Sequence, residues 1–203
     1  MTKVYLKRKI SQRIALGHPW IFNNEVEKIV GPVTAGDIVE VYYADEQFAG
    51  RGYINPASQI IVRLLTRKKE EINADFFLLK IKEAWTYRQK MGYTENCRLI
   101  FGEADGLPAL IIDKFNNYFV IQTLALGMDM WKPAIVDALN SVFHPKGIYE
   151  RNDVPVRELE GLTQIKDYLS EPFPTEIIIN ENGLQFYVNI ETGQKTGYFL
   201  DQQ

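Results

Sequence analysis

Between Thr66 and Ala74 the spacing of apolar residues changes from a period of two to one near four. This change constrains the fold more than any other feature of the 203 residues. On its amino-terminal side "VYLKRKI", "GDIVEVYY", "FAGRGYI" and "QIIVRLLT" are short β-rich runs. Gly17, Gly31-Pro32, Gly36, Gly52 and Asn55-Pro56 punctuate them as turns or bulges. In "GDIVEVYY" the apolar positions read as Ile38, Val41 and Tyr43, and the proline of "GHPWIF" starts or breaks an element. Strands at this spacing predict a small barrel over residues 1–72. On the other side "ADFFLLKIKEAWTYRQKM" sets Phe77, Ile81, Trp85 and Arg88 on one helical face, with Asn73 or Asp75 as N-cap.

Three apolar strands follow, "CRLIFGE", "PALIIDKF" and "YFVIQTLAL", joined by turns at "EADGLP" and "FNN". "MWKPAIVDALNSVF" predicts a helix with Trp131, Ile135, Ala138, Leu139 and Val142 inward and Pro133 in its first turn. "GIYERND" reads as a strand, "VPVRELEGL" as a loop, and "TEIIINENGLQFYVNI" as a hairpin around "NENG". The expected fold class is α+β. The barrel (residues 1–72) precedes a central α+β domain (73–192), and residues 193–203 form a linker or terminal hairpin.

Composition excludes several functions. No window approaches ~18 consecutive apolar residues, and "MTKVYLKRKI" carries charge where a secretion signal needs an apolar core. The expected location is the cytoplasm, with no membrane partner. A single cysteine, Cys97, allows no internal disulfide and no cysteine-based zinc site. There is no phosphate loop, hydrolase elbow, paired-histidine metal motif or dinucleotide glycine fingerprint. Glu103 and Asp105 on a turn, and Arg151, Asp153 and Arg157 after a strand, read as solvated groups. Cys97 reads as buried filler without a nearby base.

The net charge of −3 hides an asymmetry: residues 1–72 hold 11 Lys/Arg against 8 Asp/Glu, a balance of +3, and residues 73–203 hold 12 against 18, a balance of −6. Lys3, Lys7, Arg8, Lys9 and Arg13 precede the first acidic residue, and Arg63, Arg67, Lys68 and Lys69 form a second cluster. Basic clusters on a barrel point to nucleic acid, since Lys and Arg displace counterions from phosphates. His18 and Trp20 in "GHPW" are candidates to contact or stack on a base, or else core and turn residues of the barrel.

Six stretches, "HPWIF", "GDIVEVYY", "FAGRGYINPASQIIVRLL", "RLIFGEADGLPALIIDKFNNYFVIQ", "IYERNDVPVRELEGL" and "GQKTGYFLDQ", resemble in order the S-adenosylmethionine-dependent methyltransferases that make 5-methylcytosine in 23S ribosomal RNA. The resemblance implies a PUA domain, a central β-β-α-β-β domain and a Rossmann-like domain carrying cofactor and catalytic cysteines. It covers the first two, so the chain corresponds to a truncated amino-terminal portion. That portion is expected to be inactive, to have no catalytic residue of its own and to bind no S-adenosylmethionine alone. In the intact enzyme a cysteine thiolate adds to cytosine C6 before methyl transfer to C5, a role that Cys97 does not match.

The expected partner is large-subunit ribosomal RNA, with a homodimer left open. Lys7, Arg8, Arg13, Arg51, Arg63 and Arg67 are the expected phosphate contacts, with His18, Trp20 and Tyr53 at bases. Lys195, Thr196, Tyr198, Phe199, Asp201 and Gln202 would border the cofactor or target-base pocket, or else form a packing surface. Tyr198, Phe199 and Leu200 are expected to be disordered or packed on a neighbour. The rival reading is a structural or protein-interaction module without RNA affinity.

Overall fold

The computed structural model describes residues 1–8 and 12–200. Six strands form a curled sheet: β1 (Lys3–Leu6), β2 (Trp20–Ile21), β3 (Val26–Val30), β4 (Ile38–Tyr42), β5 (Phe48–Ile54) and β6 (Val62–Thr66). Their order is β2-β6-β5-β4-β1-β3, with β1 and β4 parallel and every other pair antiparallel. A short helix α1 (Gln12–Ala15) separates β1 from β2. The sheet wraps around Val4, Leu6, Ile14, Ile21, Val39, Val41, Ile54 and Val62. The gap between β2 and β3 is spanned by the connecting 3-10 turn, where Asn23 N–H donates to the Gln59 carbonyl at 3.1 Å. Gly52 lets β5 approach β6 closely, because a Cβ there would lie 2.0 Å from the Arg63 carbonyl oxygen.

The inward phase of β4 is Val39 and Val41, not Ile38. Ile38 instead packs against a second core, since residues an odd number apart on a strand face opposite ways. That core belongs to a five-stranded sheet of order β11-β10-β9-β8-β7: β7 (Asn96–Phe101), β8 (Leu110–Phe115), β9 (Tyr118–Thr123), β10 (Gly147–Asn152) and β11 (Ile165–Tyr168). Helix α2 (Ala74–Lys90) starts where Asn73 accepts a hydrogen bond from Phe76 N–H. Its Phe77 and Ile81 are fully buried. The parallel pair β9–β10 is joined by α3 (Leu126–Met130) and α4 (Lys132–Phe143), with Pro133 in the first turn of α4, where it removes no helical hydrogen bond.

Period two sorts this sheet onto two faces. Ile112, Phe119, Ile121 and Ile148 meet α2 and α4. Phe115, Val120 and Tyr149 meet the hairpin of β12 (Glu176–Glu181) and β13 (Leu184–Asn189). The hairpin turns on Asn182 (φ 52°) and Gly183 (φ 83°), the pair of positive angles a two-residue turn between twisted strands requires.

Three local readings change. "EVEKIV" supplies β3 and "IKDY" supplies β11, both without a clear apolar alternation. The expected loop at "VPVRELE" is a 3-10 helix, Pro155–Glu160, ended by Gly161 at φ 78°. Through Leu200 the tail packs on the chain itself rather than being disordered or left for a neighbour. Thr196 and Leu200 are buried, and Leu200 and Tyr198 join the core beneath the hairpin. Its apolar side chains find enough surface within the chain to offset the cost of ordering.

Candidate nucleic-acid interface

The nine residues expected to contact RNA do not share one face. They divide among a corner, a seam, an internal pair made by Arg51 and the exposed pair Lys7 and Arg8.

The corner is formed by α1 and the turn into β2. The Arg13 guanidinium donates to Glu25 Oε2 at 2.6 Å and to the Trp20 carbonyl at 2.7 Å, and lies 4.7 Å from the Phe22 ring centre. His18 meets Trp20 edge-to-face at 5.1 Å, and Trp20 meets Phe22 the same way at 6.4 Å. His18 Nδ1 accepts from Trp20 N–H at 3.2 Å. Arg67 donates to the carbonyls of Ala49, Ile14 and His18 at 3.0, 3.1 and 3.0 Å. Its guanidinium thus ties β6 to α1 before it meets any phosphate. Beside these rings Arg13, Phe22, Asn23, Asn24, Glu25 and Gln59 line a surface hollow with amide donors and a half-buried ring. No local pattern marks Phe22, Asn23, Asn24 or Gln59 in advance; the fold brings Gln59 to the others.

The seam joins the curled sheet to the second unit. Tyr53 is 1% exposed, and its hydroxyl donates to the Pro108 carbonyl at 2.9 Å. Burial pushes its phenol well above the ordinary range. The Tyr53 ring therefore serves the core, and its faces are not presented to a base. Arg63, 7% exposed, donates to Glu160 Oε1 at 2.9 Å; Ser58 donates to the same oxygen at 2.5 Å, and Asn55 to Glu160 Oε2 at 3.0 Å. Arg63 is thus held inside a buried pair rather than displayed to phosphate. Trp20 Nε1 donates to Glu103 Oε1 at 2.7 Å, a tie across the seam made by a carboxylate that stays exposed as expected. Gly127 of α3 rests on the Tyr53 ring so closely that a Cβ would fall 2.3 Å from it.

Arg51 is also spent within the fold, on Glu40 at 2.6 Å and on the Glu70 carbonyl at 2.6 Å. Its hydrogen bond holds the Glu40 carboxyl below the usual range. Lys7 and Arg8 are exposed, and Lys9 lies outside the described residues.

The polar cluster after β10 is likewise interior. Arg157 is 2% exposed, donating to the Thr123 carbonyl and, at 3.0 Å, to Asp129. Arg151 bonds Asp153 at 2.9 Å and the Ile190 carbonyl at 2.7 Å. Burial would raise the Asp129 carboxyl, but hydrogen bonds from Thr123 and Arg157 and the charge of Lys132 outweigh it and hold it low. Asp105 pairs with Arg88 at 2.6 Å. Arg151 and Arg157, expected in solvent, find partners on distant segments, whereas Asp153 stays half-exposed beside Arg151.

The tail residues spend their polar groups on the chain itself. Thr196 Oγ1 donates to Asp113 at 2.5 Å, Tyr198 donates to Glu181 at 2.7 Å, and Lys195 lies 4.7 Å from the Phe199 ring centre. Asp201 and Gln202 lie outside the described residues. Thr196 and Tyr198 thus take the packing role that was one of the two expected for this segment. Burial pushes the Cys97 thiol up to about 11, away from nucleophilic use at neutral pH. No helix among the described residues is long and apolar enough to cross a membrane.

A solved putative S-adenosylmethionine-dependent methyltransferase from Streptococcus mutans has the same fold over 100% of this chain and 52% of its own, with a TM-score of 0.78 at 19% identity. A second, a putative methyltransferase complexed with SAH, gives 0.79 at 20% identity over 100% and 51%. Ribosomal RNA large subunit methyltransferase I of Pseudoalteromonas atlantica is 42% identical over 191 residues, covering 92% of this chain and 48% of that protein. The protein of the same name from Photobacterium profundum is 39% identical over 208 residues, covering 100% and 52%. The chain thus spans about half the length of these relatives. Residues 4–67 match the family model of the PUA-like domain. The curled sheet therefore matches a PUA-like domain, and nearly the whole chain is similar to about half of proteins named ribosomal RNA large subunit methyltransferase I.

Proposed function

We propose that this chain is the RNA-binding amino-terminal portion of an S-adenosylmethionine-dependent 23S ribosomal RNA (cytosine-C5) methyltransferase, acting in the cytoplasm. The observation that carries the reading is similarity over nearly the whole chain to proteins named for that RNA, together with a PUA-like domain at residues 4–67. The corner hollow supports it, since Arg13, Asn23, Asn24, Gln59 and Phe22 offer cation, amides and a ring together.

Methyl transfer itself falls to the other half of such an enzyme. The one cysteine is buried with a raised thiol, and the tail's donors are occupied within the fold. The chain's part is to hold and orient the ribosomal RNA while the remaining half binds the cofactor.

Filter binding of the 203-residue chain to a 23S ribosomal RNA fragment tests this. Saturable binding that weakens steeply with salt is expected, because each neutralised phosphate releases counterions. In parallel, tritium from labelled S-adenosylmethionine should not enter undermethylated ribosomal RNA above a no-protein control. Absence of RNA binding would favour a protein-interaction module; incorporation of tritium would overturn the division of labour.

A further inference from the structure

On the outer face of the PUA-like sheet, three aromatic rings stand in one row across neighbouring strands. Register places Lys28 of β3 opposite Tyr5 of β1, Tyr5 opposite Tyr42 of β4, and Tyr42 opposite Phe48 of β5. Tyr5 and Tyr42 stack with centres 5.6 Å apart and 24° between planes; Phe48 meets Tyr42 edge-to-face at 5.7 Å. All three rings are half-buried. An ammonium group lies over each ring: Lys28 Nζ is 4.8 Å from Tyr5, Lys3 Nζ 5.5 Å from Tyr42 and Lys69 Nζ 5.3 Å from Phe48.

From these contacts we infer that the Tyr5–Tyr42–Phe48 row is a stacking platform for single-stranded RNA bases, with Lys3, Lys28 and Lys69 as its phosphate clamps. The inference rests on the chain being an RNA binder and names a face of it separate from the corner hollow. A sheet that presents adjacent rings takes unstacked bases without sequence preference, because every base has a π face. Ammonium groups resting on these half-buried rings hold those surfaces in place and swing to phosphate when a base arrives.

Charge favours RNA over a protein partner. Lys7 and Arg8 continue the row, lining a hollow with Tyr5 and Lys28. The carboxylates nearby are Glu27 and Glu46 in that hollow, Asp45 beside Lys7 and Arg8, and Glu40. Glu40 is neutralised by Arg51 and fixes Tyr42, whose hydroxyl donates to it at 2.9 Å. Five further cations, Lys3, Lys7, Arg8, Lys28 and Lys69, therefore face three carboxylates.

The test is fluorescence anisotropy of the full chain with a labelled mixed-sequence 12-nucleotide RNA and with the same RNA in duplex form. The variant Y5L/Y42L/F48L keeps apolar area and removes the rings. It should bind the single strand about tenfold or more weakly, as loss of base stacking predicts, and bind duplex within twofold of the parent. The variant K3Q/K28Q/K69Q should lower the log-log salt slope for the single strand by about 2. Y42L alone, with its circular dichroism melt, serves if the triple variant fails to fold, with a loss of about threefold expected.

Single-strand affinity unchanged in the leucine variants, or an equal loss on duplex, would overturn the platform while leaving RNA binding by the corner intact. Failure of the parent chain to bind either RNA would overturn both.

Discussion

Arg63 and Lys28 lie on strands of one sheet and carry the same charge, but their surroundings give them opposite work. Arg63 faces the seam, where Glu160, Ser58 and Asn55 close around it and water is excluded. Lys28 faces outward over a half-buried ring. Tyrosines divide the same way: Tyr53 is sealed beneath Gly127, and Tyr42 lies on the open face with a lysine over it. Residue type alone does not separate a structural cation from a binding one. What separates them is whether a carboxylate from a distant segment has folded over the charge.

Substitutions can break this contrast, and their effects should fall in order. E160A removes the acceptor shared by Arg63, Ser58 and Asn55 and strands a buried guanidinium. About 3–5 kcal/mol should be lost in urea unfolding, the range for breaking a buried pair. D129N removes the anionic partner of the buried Arg157, for about 1.5–3 kcal/mol. It should also reduce acid sensitivity. The folded Asp129 carboxyl titrates below its unfolded value, so its contribution is present above about pH 4 and lost as pH falls through the folded pKa. Unfolding midpoints between pH 6 and pH 3 should therefore fall less steeply in D129N.

G127A presses a methyl group into the Tyr53 ring and should cost about 1–3 kcal/mol through overpacking. Y53F deletes only the hydroxyl that reaches Pro108, for about 0.5–1.5 kcal/mol by thermal melting. K28Q, on the open face, should change stability by less than about 0.5 kcal/mol. If it destabilised the chain as much as E160A, the two regions would not differ as described.

Much of the fold was legible because its signals are local. Asn73 caps α2, Pro133 opens α4, and Asn182-Gly183 turns the last hairpin, each through the conformation of a few adjacent residues. The seam was not. Asn55 finds Glu160 across 105 positions and Tyr53 finds Pro108 across 55, so basic and aromatic residues that looked available to RNA were already spoken for. The aromatic row was hidden for a related reason. Tyr5 and Tyr42 become neighbours only through the parallel pairing of β1 with β4, which no short-range pattern announces. The tail's packing partners, Asp113 and Glu181, were equally out of reach of local patterns.

The insertion of Tyr53 into the core that holds Phe77, Ile112 and Ile148 means that the two units share an interior rather than merely touch. A pivot between them would have to tear that interior open. A ligand held on the first unit would therefore keep a set distance from the second, as against a gauge block.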